Sequence, residues 1–138
     1  RSMRKIPQHL SIISLGTNDL DAIRSFYAGW GWTEADGSQA TWCAFDVGGT
    51  LLSFYSMEHL AEEASALPRP VTNWGGYTLA LNLSSEEALA EVLEIALAAG
   101  ARLTAEPQRR AWGGTSAYIS DPDGNCWELA TGGPNPTA

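Results

Sequence analysis

Cations are scarce in this chain. Lys and Arg number 8 together against 16 Asp and Glu, for a net charge of -8 at pH 7. The clustered positive charge that grips a phosphate backbone is therefore missing, which excludes nucleic acid as an expected partner. The few basic residues gather at Arg1, Arg4 and Lys5 and at the pair Arg109 and Arg110, and both groups read most simply as solvated edges. Long apolar runs are lacking as well. None approaches the ~20 residues of a membrane span, so no membrane partner is expected. Cysteine is limited to Cys43 and Cys126, far apart and without CxxC spacing, and no secretory leader is expected. That usage excludes a disulfide framework and points to the cytoplasm. Histidine is limited to His9 and His59, and neither has a second imidazole or carboxylate spaced to complete a metal site.

What is present suits one globular domain. A chain of 138 residues, 44% hydrophobic, can bury roughly two thirds of its unfolded surface around one core. Arg1 and Ser2 read as a remnant ahead of Met3, which sets the expected domain at 3–138. Residues 9–17, "HLSIISLGT", are β-branched and apolar and end at a glycine, as a strand does. From Asn18 the period changes. Leu20, Ile23, Phe26, Tyr27 and Trp30 recur at three- and four-residue steps on one helical face, with Asn18 as its cap and Gly29 and Gly31 as its end. "ATWCAFDVGGTLLSFYSM" then reads as two strands joined at Gly48 and Gly49.

The order recurs after a proline-bearing bridge whose front suits a short helix. "YTLALNLSS" is a strand. It leads into a helix with the apolar stripe Leu89, Val92, Leu93, Ala96 and Leu97, capping-box spacing at Ser84 and Glu87, and a stop at Gly100. Strands follow at "ARLTAEP", "TSAYISD" and "CWELATG". Ile12 matches Thr78 and Asn18 matches Ser84 at one offset of about 66 residues, the signature of a duplicated βαβββ unit. The expected fold is α+β, a curved mixed-sheet cup with helices outside. Its units run over about 9–57 and about 77–131, with a linker at about 58–76.

Two stretches carry a resemblance. "SLGTNDLDAIRSFYAGWGW" in the first unit and "WGGTSAYISDPDGNCWEL" in the second, with its DPDG turn before a Trp-Glu strand, are similar to the vicinal oxygen chelate superfamily. That superfamily includes glyoxalase I, extradiol dioxygenases, fosfomycin-resistance enzymes and bleomycin-resistance proteins. The likeness covers nearly the whole chain. It implies that metal-dependent members place ligands at four inward positions, which here fall on Ile12, Ser53, Thr78 and Glu128. Only Glu128 is a metal-ligand type, so the resemblance implies a metal site reduced to one carboxylate and no metal cofactor. A homodimer is also implied, since members with one pair of units often complete their cups between two chains.

The period-two rule adds Tyr55 and Asn82, with Leu10, Ser14, Leu51, Ala80 and Cys126, to the faces carrying those four positions. Such a lining suits a neutral, partly aromatic molecule better than a phosphate. Trp42, Trp74 and Trp112 are candidate stacking platforms, the last two beside paired glycines, and Arg110 supplies a cation near the mouth. Trp30, Trp32 and Trp127 read as packing. Cys126 has no histidine spaced to activate it and reads as a small apolar residue. The expected function is metal-independent binding and sequestration of an aromatic natural product, a peptide antibiotic being the type case. The alternatives are a glyoxalase-type metal enzyme, or a metal-free enzyme with Glu128 as acid or base.

Overall fold

Residues 5–66 and 74–137 are described by a computed structural model. They form two sheets and three helices. The first sheet comprises β1 (Ile12–Thr17), β2 (Trp42–Asp46) and β3 (Leu51–Ser56), in the order β1-β3-β2. Helix α1 (Leu20–Gly29) follows β1 in sequence, and α2 (Met57–Ala64) follows β3. The expected short helix at the front of the bridge is therefore α2, capped by the Ser56 hydroxyl, which accepts from the His59 N–H at 3.1 Å. Residues 67–73 of the expected linker lie outside the described residues.

Strand β3 runs parallel to β1 and antiparallel to β2. The β2–β3 turn forms where the paired glycines predict it. Gly48 and Gly49 both adopt positive φ, 96° and 101°, and their N–H groups donate to Asp46 Oδ1. On one face Cys43, Phe45, Leu52 and Phe54 are buried as this unit's core. Ile12, Ser14, Ser53, Tyr55, Trp42 and Ala44 share the other face, as the register dictates.

The second sheet comprises β4 (Leu79–Leu83), β5 (Arg102–Arg109), β6 (Thr115–Ser120) and β7 (Cys126–Thr131), in the order β4-β7-β6-β5. Helix α3 (Glu86–Ala98) connects β4 to β5. First and last strands pair in parallel in both sheets, which supports the duplication. The first half is one strand short of the expected βαβββ order. Where the second half has β5, residues 35–39 follow the edge of β2 through Ala35 N–H to Ala44 O at 2.7 Å and Gln39 N–H to Trp42 O at 2.7 Å. Ser38 Oγ takes the Ala44 N–H between them, so a side chain replaces part of a ladder.

Two local expectations are corrected. The cap of α3 is Ser85, whose hydroxyl accepts from Ala88 N–H at 3.0 Å, and not Ser84. Within the α3 stripe Leu89 and Ala96 are buried, whereas Leu97 is exposed. Helix α1 also departs from a one-helix-per-unit plan. Residues 21–32 form one compact unit with the described residues from 74 onward, and residues 33–66 form the other with those up to 20. In the unit containing α1, Trp30, Trp32, Tyr27 and Trp127 pack ring against ring at centroid distances of 4.9 to 6.2 Å. The packing assigned to these tryptophans is what the rings do.

Candidate functional site

Strand alternation assigns the residues of the second sheet to two faces. Trp127 and Leu129 on β7, with Ala117 and Ile119 on β6, are buried on one face. Glu128 faces the opposite way, registered between Tyr118 on β6 and Ala80 on β4. A half-buried carboxylate is costly without a donor, and Tyr118 supplies one, its hydroxyl donating to Glu128 Oε2 at 3.0 Å. Thr78 is exposed just before β4 and makes no hydrogen bond to Glu128 among the described residues, and Ser53 Oγ is 2.9 Å from Ser14 Oγ on the neighbouring strand.

Arg110 lies on the Tyr118 side of the sheet. Its guanidinium carbon is 5.7 Å from the Tyr118 ring centre, a cation–π placement. Nε donates to Ser116 Oγ at 2.8 Å, Nη2 to Ser116 O at 3.3 Å, and Nη1 to Gln108 Oε1 at 3.1 Å. Two register shifts in β5, between Leu103 and Ala105 and between Ala105 and Gln108, set which residues reach this face. The result is a row that runs from Gln108 through Arg110, Ser116 and Tyr118 to Glu128.

Cys126 occupies the next position along the same face of β7, two residues from Glu128, and pairs with Ser120. Burial raises its thiol above the ordinary range, and the Glu128 carboxylate raises it further. A thiol held in its neutral form is not a nucleophile. Tyr118 is raised as well, by burial first and by Glu128 next, with Arg110 opposing. A cavity of about 800 Å³ adjoins this end of the sheet, lined by Trp74, Arg102, Thr104, Ser120 and Cys126 together with the Asp121–Gly124 turn. The opening of DPDG is a structural hub. Asp121 is buried, Oδ1 accepts the N–H groups of Asp123 and Asn125, and Oδ2 accepts from Tyr27 Oη at 2.6 Å and Asn125 Nδ2 at 2.8 Å.

The remaining candidates have these places. Trp74 is 67% exposed beside the cavity, its indole N–H donating to Tyr77 O. Trp112 is exposed and folds over Gly114, where a Cβ would overlap its ring. Asn82 Nδ2 donates to Pro134 O at 2.7 Å, so that amide holds the C-terminal segment. In the other unit, Ile12 is 46% exposed, and Trp42 and Tyr55 are neighbours with ring centres 6.1 Å apart. Tyr55 also stacks on His59 at 5.4 Å. Tyr118, Ser116, Gln108 and Arg102 were not among the expected site residues. The parity of "TSAYIS" against "CWELAT" is the signal that could have found Tyr118.

Matching the chain to family models identifies one over residues 8–129, the Glyoxalase/Bleomycin resistance protein/Dioxygenase superfamily. The chain belongs to that superfamily. It is similar in structure to a glyoxalase-related enzyme from Fulvimarina pelagi, at 28% identity and a TM-score of 0.84, covering 95% of this chain and 96% of that one. A lactoylglutathione lyase from Agrobacterium tumefaciens shares the fold at 22% identity and a TM-score of 0.69, with 92% and 96% covered. So does a hypothetical protein from S. aureus at 18% identity and a TM-score of 0.78, with 92% and 95% covered. No curated protein matches the chain.

The superfamily implies a divalent ion in its metal-dependent members, and the donors here do not fit one. Ile12 has no donor atom, the Ser53 hydroxyl is engaged by Ser14, and Thr78 is exposed. Among the described residues no three His, Cys, Asp or Glu side chains come together. One carboxylate and neutral hydroxyls are a poor set for Zn²⁺, Fe²⁺ or Mn²⁺.

Proposed function

We propose that this superfamily member binds a flat, partly aromatic organic molecule without a metal ion and sequesters it, a natural-product antibiotic of the peptide class being the type of ligand. The Glu128 environment carries the reading. This carboxylate shares its face with Tyr118, Cys126 and Ala80, has Tyr118 as its hydrogen-bond donor, and among the described residues belongs to no group of three His, Cys, Asp or Glu that could hold an ion. The adjoining cavity, with an indole at its rim, offers the volume and stacking surface that such a ligand needs. A homodimer acting in the cytoplasm belongs to the same proposal, and sedimentation measures the first part.

The test has two arms. Elemental analysis after incubation with Zn²⁺, Mn²⁺, Fe²⁺ and Ni²⁺ is expected to show no tightly held ion, while bleomycin-type antibiotics quench tryptophan fluorescence on titration. A stoichiometric ion would turn the reading toward a metal-dependent lyase, isomerase or dioxygenase. Absence of quenching by every antibiotic would remove the sequestration reading.

A further inference from the structure

The proposed ligand can be described more closely from the hydrogen bonds its site leaves unused, an inference that rests on the binding reading above. A guanidinium has five N–H donors. In Arg110 three are assigned, Nε and Nη2 to Ser116 and Nη1 to Gln108. One N–H therefore remains on each terminal nitrogen, available to an incoming carboxylate. The three bonds also hold the guanidinium in place, so little side-chain freedom is left to lose on binding.

Glu128 is the counterpart. Its Oε2 accepts from Tyr118, while Oε1 has no partner among the described residues. No ion pair joins Arg110 to Glu128, although both act on Tyr118, one over its ring and the other at its hydroxyl. The phenol ring thus keeps two opposite charges apart on one face, each with unused hydrogen-bonding capacity. A neutral hydrocarbon would leave both charges poorly solvated on binding, whereas a molecule with complementary ends would satisfy them.

We infer that the ligand is zwitterionic, a flat body with a carboxylate at one end for Arg110 and an amine at the other for Glu128. Charge at both ends also provides discrimination, because an analogue lacking one end leaves a protein charge unpaired.

Four probes of one shape test this on the whole chain: 4-(aminomethyl)benzoate, 4-methylbenzoate, 4-methylbenzylamine and p-xylene, titrated by amide chemical-shift perturbation. The zwitterion is expected to bind about ten-fold more tightly than either singly charged probe, the value of one charge-assisted hydrogen bond. Arg110→Gln should erase the advantage of the carboxylate and keep that of the amine, and Glu128→Gln should do the reverse. Each variant is read as a ratio between probes, so general loosening, which weakens all four together, is not mistaken for loss of one contact. Equal loss for all probes in either variant overturns the inference. So does p-xylene binding as tightly as the zwitterion, which leaves aromatic binding itself in place. If no probe shifts any amide, the zwitterion assignment fails, and the antibiotic titration judges the parent reading separately.

Discussion

The hydroxyl of Tyr27 donates to Asp121 Oδ2 at 2.6 Å, joining α1 to a turn 94 residues later. The same oxygen accepts the indole N–H of Trp127 at 3.0 Å, so one buried phenol serves two partners. Tyr27→Phe keeps the ring packing but leaves the Trp127 indole N–H without its acceptor and the Asp121 carboxylate with one donor fewer. The expected cost is about 1–3 kcal/mol of unfolding free energy in urea denaturation. A variant as stable as the parent would show that the hydroxyl does not tie α1 to the turn.

Asp121 gives stability a pH signature. Burial, the largest influence, lifts its carboxyl above the ordinary range, against the pull of its hydrogen bonds from Tyr27 and Asn125. The native chain therefore binds this proton more readily than the unfolded chain. The contribution is fully present below the ordinary carboxylate value and is lost as pH rises through the raised one. Compared with Asp121→Asn, the parent should lose unfolding free energy as pH climbs through that acid window. Parallel stability curves for the two proteins, taken from about pH 3 to about pH 8, would refute the shift.

Cys126 should be a slow nucleophile. Cys43 is fully buried, so iodoacetamide applied to the native chain reports on Cys126. Its raised thiol predicts alkylation slower than that of the urea-unfolded chain at the same pH. Because Glu128 contributes to the shift, Glu128→Gln should speed the reaction. An unchanged rate in that variant would mean that the carboxylate does not act on the thiol.

At Gly114 the backbone lies close against an aromatic side chain. A Cβ built there would lie 2.1 Å from both the Thr131 carbonyl oxygen and the Trp112 ring. Gly114→Ala should cost about 1–3 kcal/mol and displace the indole, visible as a lower melting temperature and a shifted tryptophan emission maximum. Gly31→Ala is the control, since nothing lies within 4 Å of its Cβ position. There the strain comes only from a φ of 85°.

Local rules made most of the secondary structure legible. The stripe through Ile23, Phe26 and Tyr27, the paired glycines at 48 and 49, and the β-branched runs each constrain only their own neighbourhood, and each appears where the sequence places it. The duplication was legible for the same reason, as one order of periods met twice. The capping serine of α3 was missed by one position, because Ser84 and Ser85 are equivalent until the backbone angles are set.

Composition and periodicity determined on their own that this chain is an acidic α+β protein with a repeated unit and with Glu128 on the opposite strand face from Trp127. Its partners were decided by tertiary structure. Tyr118 meets Glu128 because β6 and β7 pair in one register, and Arg110 reaches Tyr118 because β5 shifts register twice on its way along β6. Asn82 is drawn to Pro134, and α1 joins the compact unit of the second sheet. Alternation along a strand fixes which face a side chain takes, but not which residue lies opposite. That depends on cross-strand pairing between distant segments, where a slip of one residue exchanges every neighbour.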